Sequence, residues 1–556
     1  MAVVLLFHST AEAEYCYVIN LASTIGKPAI ERLPAVATGH DDQLYITTFT
    51  KDGKVFHRVQ LGFYPDRVTA DEVRKRIIPQ FPDAWITTAS NNNCEQAIAC
   101  CYTPALDIRP SPQPGKKTHG PQGVLAEPDG EPRWYPAVKV RQAMPASGEK
   151  KGAAFDFDAP PQTRFRLTPD LNFGAKVELE GELEKNFDLD SDRADDLKIL
   201  EPQLSLAFSY TPTETLQAYL NIKSSQRFVD DDRDKKNNET RLEVNQAFLS
   251  FSGLFDGSMI KLGRQRFQDE REWLYDEELD GVRLFHTFSR FAVEFSLSKR
   301  NDRDLLQNQQ TGDMINYFIH GYHATNKDNA IGLYAFAQDD RDDREDPQED
   351  RTLFGIHANG EFRDHLDYWL ELAYLRGEFG SNDIRAWGFD AGSTYIFDYP
   401  WEPSITLGYA FGSGDDDPQE GKDRNFRQTG FQDNTAKYNG LIRLKYYGEM
   451  VDPELSNLQV ATLGLGLRPT RRTSLDLVYH NLRQHKATTD VHDWEIDADP
   501  NGRSTDIGNE IDFIVGYRIK PHHKGSLIIG RFNPGNAFPN DADNALFGEL
   551  ELQYEF

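Results

Sequence analysis

From about Leu171 onward, hydrophobic and polar residues alternate in a long series of short segments. The last of these, ALFGELELQYEF, places Leu550 and Tyr554 on one face of a strand and Glu549 and Glu551 on the other, because successive side chains point to opposite faces. An apolar and aromatic face opposite an acidic face, over about 10 residues, is typical of a strand that crosses a membrane in a β-barrel. The pattern therefore predicts an all-β transmembrane barrel over residues 163–556.

The spacing of these segments predicts the size of the barrel. Long acidic connections such as FVDDDRDKKNNE alternate with short turns such as TPTE, as in outer-membrane barrels with long loops at one end. The segments give nineteen candidate strands, which begin near Leu171, Pro202, Leu216, Arg241, Ser258, Leu279, Arg290, Asp313, Ala330, Arg351, Leu366, Ile384, Pro403, Tyr438, Leu458, Thr473, Asn509, Lys524 and Ala545. A bacterial single-chain barrel has an even number of strands, and the alternation of loop lengths fails only around Tyr438. We therefore predict about 18 antiparallel strands and a long loop over 412–457, whose segment GLIRLKYYGEM folds into the pore.

Composition narrows the class of protein. Charged residues make up 27% of the 556 residues, and no uninterrupted apolar run is long enough for a membrane-spanning helix. A net charge of −28 argues against binding of nucleic acid, which needs a basic surface. The four cysteines lie within the first 101 residues, and their pairing cannot be deduced from their positions.

The region before the barrel divides into three parts. Residues 1–13 include a short apolar run and Ala11-Glu12-Ala13, which fits a truncated signal peptide; an ordinary first strand is the alternative. Residues 14–90 mix apolar strands with an amphipathic helix and predict a small α+β domain. Residues 91–162 are rich in Pro, Gly, Lys and Asp without periodicity, which predicts a flexible linker.

The small domain resembles a known family in one stretch. HRVQLGFYPDRVTADEVRKRI, which follows YVINLAS, resembles the SPOR domain, a module that binds septal peptidoglycan stripped of its stem peptides. The resemblance implies a periplasmic domain whose sheet, with Tyr17, Gln60 and Phe63, holds a glycan strand. An unrelated ferredoxin-like binding module is the alternative, with these three side chains packing in its core.

The barrel region resembles the alginate export family of the outer membrane. The resemblance rests on seven stretches in the same order, NFGAKVELEGE (172–182), GRQRF (263–267), WLYDEELDGVRL (273–284), FRQTGFQDN (426–434), ELSNLQVATL (454–463), SLDLVYHNL (474–482) and FNPGNAF (532–538). It implies an 18-stranded barrel in the outer membrane of a Gram-negative bacterium, with a loop-plugged pore whose basic constriction conducts an anionic, alginate-like exopolysaccharide. The implied partners are that polysaccharide, outer-membrane lipid and lipopolysaccharide, and periplasmic export components.

The same resemblance implies a set of pore residues. Arg264 and Arg266 coincide with arginines of the family, the second at the constriction, while Asp276 and Glu551 fall on acidic selectivity positions. The predicted set is completed by Arg283, Arg427, Lys437, Arg443 and Lys445. A structural role in the polar network of the lumen is the alternative for each arginine and is favoured for Arg264.

Other positions depart from the family and keep further functions open. Glu178, Asn245 and Ser526 stand where the family has basic residues. The loss of these charges favours two alternatives, a general or cation-preferring porin and a barrel that tethers the outer membrane to septal peptidoglycan. No nucleophile–base constellation, CxxC pair or phosphate loop is present, so we predict no enzyme activity, cofactor or metal site. Ca²⁺ at the acidic extracellular loops is the one metal alternative, and solvated loops are favoured over it.

Overall fold

The computed structural model describes two ordered parts of the chain, which form two compact units. The described residues are 16–25, 44–51, 54–64, 70, 73–75, 77, 84–89 and 159–555, the last range with gaps at 193–195, 232–237, 302–303, 307–313, 327–328, 342–348, 364, 416–420 and 521. The predicted signal segment 1–13 and nearly all of the predicted linker 91–162 lie outside these residues.

The amino-terminal unit is built on a four-stranded antiparallel sheet of order β2-β3-β1-β4. Its strands are β1 (Cys16–Ile25), β2 (Leu44–Lys51), β3 (Lys54–Tyr64) and β4 (Trp85–Ala89). Residues 70, 73–75 and 77 are helical, and Ala70, Val73 and Ile77 pack against Ile19 and Leu61 in its core. Their spacing of three, four and seven residues puts all three on one helix face. No helix in the described part of the chain is long and apolar enough to cross a membrane.

The second unit is a closed antiparallel barrel of eighteen described wall strands. After a short strand β5 (Phe165–Arg166), the wall strands are β6 (Leu171–Lys185), β7 (Leu197–Thr213), β8 (Leu216–Asp231), β9 (Asn238–Ser252), β10 (Ser258–Gln268), β11 (Asp276–Phe288), β12 (Phe291–Lys299), β13 (Met314–Ala324), β14 (Asn329–Asp340), β15 (Glu349–Phe362), β16 (Leu366–Phe379), β17 (Asn382–Ile396), β18 (Ser404–Gly412), β22 (Leu458–Thr470), β23 (Thr473–Gln484), β24 (Asp506–Lys520), β25 (His523–Pro534) and β26 (Ala545–Glu555). Three two-residue strands, β19 (Lys422–Asp423), β20 (Thr435–Ala436) and β21 (Leu444–Lys445), lie between β18 and β22.

The last strand closes the barrel as its alternation predicts. β26 pairs with β6 from Leu546↔Lys185 to Glu555↔Lys176. Leu550 is 47% exposed on the outer face, whereas Gln553, on the opposite parity, is 4% exposed. A wall that is apolar outside and polar inside is the arrangement of a transmembrane barrel.

The predicted number of strands is confirmed, and the candidate near Tyr438 is not a wall strand. The predicted starts at Pro202 and Asn509 lie inside β7 and β24, which begin at Leu197 and Asp506. At their amino-terminal ends, these strands continue into more polar sequence, where hydrophobic and polar residues no longer alternate regularly. The hydrophobic pattern alone therefore places their starts too late.

The long segment between β18 and β22 folds back into the barrel; we call its residues 421–457 the plug. Met450 and Val451 donate their backbone N–H groups to the carboxylate of Glu510 at 2.8 and 3.1 Å. Glu510 is fully buried on the inner face of β24, opposite the exposed parity of Ile511. Leu441 likewise donates its N–H to the Ser474 hydroxyl on β23 at 2.8 Å. The plug therefore lies against the inner wall.

A second segment, which we call the finger, comprises residues 265–279 at the end of the β10–β11 hairpin. The pairing of β10 with β9 ends at Arg264, and the pairing of β11 with β12 begins at Asp280. Within the described strands, the finger is paired only with itself. Its Trp273 and Leu279 are buried together with plug residues in the main hydrophobic cluster, so the finger also lies in the lumen.

Candidate functional site

Three ion pairs lie where the finger meets the plug inside the barrel: one within the finger, one between the two segments and one within the plug. Arg266 binds Asp276 across the finger through both guanidinium branches, with Nε–Oδ1 at 2.6 Å and an Nη2–Oδ2 bond of 2.7 Å. Arg443 of the plug binds Glu272 of the finger at 2.8 Å. Lys445 of the plug binds Asp433 at 2.7 Å. We call these six residues the charge cluster.

The carboxylates of the charge cluster crowd one another. Oxygen atoms of Glu272, Asp276 and Asp433 all lie within 4.8 Å of one another. Two unit charges at this distance repel by about 3 kcal/mol at an effective dielectric constant of about 20. The three cations of the charge cluster compensate this repulsion.

Burial shifts the charge states in this region. Burial raises the pKa of Glu272 well above its usual value, and Arg443 opposes that shift. Burial acts against the charged form of Lys445, but Asp452 and Asp433 outweigh it and raise the pKa of the Lys445 ammonium well above its usual value. Asp452 binds Lys445 at 2.5 Å, and burial raises the pKa of this carboxyl to about 6. Lys445 is therefore charged at neutral pH, while burial holds the pKa values of Glu272 and Asp452 above their ordinary values.

The finger tip is also anchored by Arg271, which the sequence alone does not single out. Its guanidinium lies 4.2 Å from the ring centroids of both Trp369 on β16 and Tyr446 in the plug. It binds Asp390 on β17 at 3.1 Å, and Asp390 also accepts the Trp369 Nε1–H at 2.9 Å. One side chain thus ties the finger to both the wall and the plug.

Neutral hydrogen bonds reinforce the contact between finger and plug. The Nε1–H of Trp273 donates to the Tyr447 hydroxyl at 3.1 Å. Gln428 donates its side-chain amide to the Trp273 carbonyl at 2.8 Å, and the Thr429 hydroxyl donates to the Leu274 carbonyl. These residues lie more than 150 positions apart in the sequence, so no local pattern joins them.

Four predicted pore residues, Arg266, Asp276, Arg443 and Lys445, meet in the charge cluster. Arg283 lies at the base of the finger, where it binds Glu294 at 2.7 Å and donates to the Arg266 carbonyl at 3.0 Å. Arg427 lies elsewhere in the plug and binds Asp423 at 2.6 Å. Lys437 is half-buried in the plug, within electrostatic range of Asp476 on β23.

Arg264 lies outside the charge cluster, at the point where β9 and β10 separate. It binds both carboxylate oxygens of Asp280, at 3.0 and 2.8 Å. It also donates to the carbonyls of Val244 at 3.3 Å and Asn301 at 3.2 Å. These contacts fasten two strands and the segment after β12, as the structural alternative for this arginine requires.

Glu551 lies on the inner face of β26 among other carboxylates. The inward positions of β26, β6 and β7 form what we call the acidic wall, which comprises Glu178, Glu180, Glu182, Glu184, Glu201, Glu549, Glu551 and Glu555. Glu180 lies directly opposite both Glu551 and Glu201 in the strand register. Lys176, which binds Glu178 at 2.9 Å, is the one basic residue described at inward positions of these strands.

The residues predicted to bind peptidoglycan fall on two strands of the amino-terminal sheet. Gln60 is buried on β3, in register with Asn20 and Tyr45. Tyr17 and Phe63 belong to β1 and β3, and their side chains lie outside the described residues. The glycan surface therefore stays a prediction.

Cation binding at the acidic loops also stays untested, because 232–237 and 342–348 lie outside the described residues. Within the described part of the chain, Glu272, Asp276 and Asp433 form the one group of three acidic side chains close enough to hold a metal ion. Their charges are already balanced by Arg443, Arg266 and Lys445.

Comparison with known proteins places the barrel in a family. Residues 170–547 match the family model described as alginate export. The alginate production protein AlgE of Pseudomonas aeruginosa is 25% identical over 454 residues, which cover 67% of this chain and 90% of that protein. AlgE of Azotobacter vinelandii is 28% identical over 189 residues, 30% of this chain and 38% of that protein. Acinetobacter baumannii OccAB1, a solved structure, aligns with a TM-score of 0.49 and 10% identity over 69% of this chain and 96% of its own. Because the family model covers most of the chain, this protein belongs to the alginate export family.

Proposed function

We propose that this protein is an outer-membrane channel that exports an anionic, alginate-like exopolysaccharide. The observation that carries the proposal is the family match over 170–547, which spans the wall, the finger and the plug. Three basic residues of the charge cluster, Arg266, Arg443 and Lys445, lie in the lumen of that barrel.

Transport of this kind needs no covalent chemistry. Fixed cations lower the energy of a polyanion in a narrow lumen, where low dielectric strengthens each interaction. Arginine suits this role because its planar guanidinium binds a carboxylate through two parallel N–H bonds. Arg266 makes this bidentate contact with Asp276, so a uronate carboxylate fits the same donors.

Planar-bilayer recording tests the export function. We expect oligouronates to change the ionic current of the full-length channel, and we expect a neutral oligosaccharide of equal length to leave it unchanged. Arg266→Ala should weaken the response to the oligouronate. A channel whose current responds equally to both sugars, or to neither, would contradict export of a polyanion.

The acidic wall favours a second candidate, a cation-preferring porin. Eight carboxylates on three neighbouring strands attract small cations and repel anions. Reversal potentials across a KCl gradient decide between the candidates. A strong preference for K⁺ together with no response to oligouronates would favour the porin.

We also propose that the amino-terminal unit is a periplasmic, SPOR-like domain that binds peptidoglycan, as an anchor for the barrel or for periplasmic export components. The four-stranded sheet with a packed helical segment provides a platform of the required α+β type. Co-sedimentation of the full-length protein with glycan strands stripped of stem peptides is the test. Equal sedimentation with intact and stripped glycan would contradict the assignment.

A further inference from the structure

We propose that Glu272, Asp276 and Asp433 are internal substitutes for the carboxylates of the exported polymer, so that the polymer opens the lumen by displacing them from Arg443, Arg266 and Lys445. The inference rests on the proposed function, and it assigns a selective step to the charge cluster.

The contacts of the charge cluster match those that a polyuronate requires. Its cations bind carboxylates at 2.6 to 2.8 Å, in one case through a bidentate guanidinium contact. The carboxylates come from aspartate and glutamate, and a uronate presents the same functional group. An incoming polymer therefore competes with the protein's own acids for the same donors.

Displacement is coupled to opening because the freed acids cannot stay where they are. The three carboxylates lie within 4.8 Å of one another, and Arg443, Arg266 and Lys445 balance their charges. Once a polymer carboxylate binds Arg443 or Lys445, Glu272 and Asp433 repel each other and the polymer. Glu272 belongs to the finger and Asp433 to the plug, so this repulsion drives the two segments apart.

The coupling also makes opening selective. A ligand shifts a conformational equilibrium only by its difference in affinity between the two states. A polyuronate reaches Arg443 without competition from Glu272 only when finger and plug have separated, whereas a neutral polysaccharide gains nothing from that state. The charge cluster thus acts as a polyanion-dependent lock, and Glu272 and Asp433 join the specificity-determining residues.

Single-channel recording of the full-length protein with three variants tests this proposal. Removing the acids, in Glu272→Gln with Asp433→Asn, should raise the open probability without polymer by about tenfold, as expected when an equilibrium loses about 1.4 kcal/mol. The same variant should respond to lower concentrations of oligouronate. Removing cations, in Arg266→Gln with Arg443→Gln, should also raise the open probability but abolish the response to oligouronate.

Asp383→Asn is the control, because Asp383 pairs with Arg385 in an exposed contact on β17, outside the charge cluster. This variant should behave like the unmodified protein. The proposal is overturned if the acid variant responds to oligouronate only at unchanged or higher concentrations, or if its open probability stays at the unmodified level. The export function itself fails separately, if oligouronate affects neither the unmodified protein nor the acid variant.

Discussion

Two regions of the same lumen arrange charged side chains in opposite ways. On the side of the finger and plug, each described carboxylate of the charge cluster has a cation within 2.8 Å. On the acidic wall, carboxylates face carboxylates in register, as Glu180 faces Glu201 and Glu551. The first arrangement fastens the plug to the finger through the Arg443–Glu272 pair and braces each segment through an ion pair of its own. The second places like charges in register on strands that backbone hydrogen bonds already fix.

The difference shows where a change of sequence has structural consequences. Directly opposed like charges in a sheet each cost only about 0.2 to 1 kcal/mol, and eighteen paired strands tolerate that. Breaking one partner of a buried ion pair costs about 3 to 5 kcal/mol, because the other charge is left uncompensated. We therefore expect substitutions in the finger and plug to change gating, and substitutions in the acidic wall to change ion preference.

The largest effect is expected from Arg271→Ala. The substitution leaves buried Asp390 without its cation and removes the stacked contacts to Trp369 and Tyr446, so attachment of the finger should weaken by about 3 to 5 kcal/mol. Faster limited proteolysis of the plug and a higher open probability would report the change. Arg385→Ala is the control on β17, because the Arg385–Asp383 pair is exposed and such pairs contribute about 0 to 1 kcal/mol. Equal effects of the two substitutions would contradict the anchor role of Arg271.

A smaller effect is expected from the bond between Trp273 and Tyr447. Trp273→Phe leaves the buried Tyr447 hydroxyl without its donor, which should cost about 1 to 3 kcal/mol. A double-mutant cycle with Tyr447→Phe, read out by proteolysis of the plug, should give a coupling free energy of about 1 kcal/mol. Strict additivity would show that the finger and plug are not linked through this bond.

We call the plug seated when it lies against the inner wall and released when it does not. The stability of the seated plug should fall as pH rises. Burial raises the pKa of Asp452 to about 6, above its ordinary value of about 3.9. Between these two pH values, Asp452 is therefore more often protonated in the seated plug than in the released plug. Glu454 of the plug binds His492 at 3.0 Å, and this hydrogen bond raises the pKa of His492 above its ordinary value. Both shifts stabilise the seated plug at low pH, and that stabilisation is lost as pH rises through the folded pKa values.

Open probability measured from pH 5 to pH 8 checks this dependence. It should rise with pH in the unmodified channel and rise less in the variant that combines Asp452→Asn with His492→Asn. A fall in open probability with rising pH would contradict the assignment.

The smallest structural effect is expected from the acidic wall. Glu180→Gln with Glu551→Gln removes a directly opposed pair, so thermal stability should change by less than about 1 kcal/mol and in the favourable direction. Reversal potentials should show a weaker preference for cations. Asp383→Asn, an exposed residue at the start of β17, is the control and should leave ion preference unchanged. An altered response to oligouronates in the Glu180 and Glu551 variant would contradict the separate roles given to the charge cluster and the acidic wall.

The barrel wall could be predicted from the sequence because the alternation of side chains along each strand determines it. Alternation along β26 decides which side chains face lipid, and the evenness rule removes the candidate near Tyr438. The interior was harder to predict, since its contacts join distant segments. Arg271 and Glu272 directly precede WLYDEEL, and Trp273 begins it. Their partners Asp390, Arg443 and Tyr447 follow more than 100 residues later. The family resemblance indicated Arg266 and Arg443 but not the finger that brings them together.

Cross-linking the finger to the plug tests the central claim most directly, namely that the two segments must separate for the polymer to pass. Glu277 and Gln432 flank the backbone bond from Asp276 N–H to the Phe431 carbonyl, which measures 2.5 Å. With cysteines at these two positions and serines in place of the native cysteines, a short cleavable thiol cross-linker can join the segments. The cross-linked channel should show no current response to oligouronate, and cleavage should restore the response, while each single-cysteine variant responds throughout. A cross-linked channel that responds as fully as the cleaved one would contradict the account.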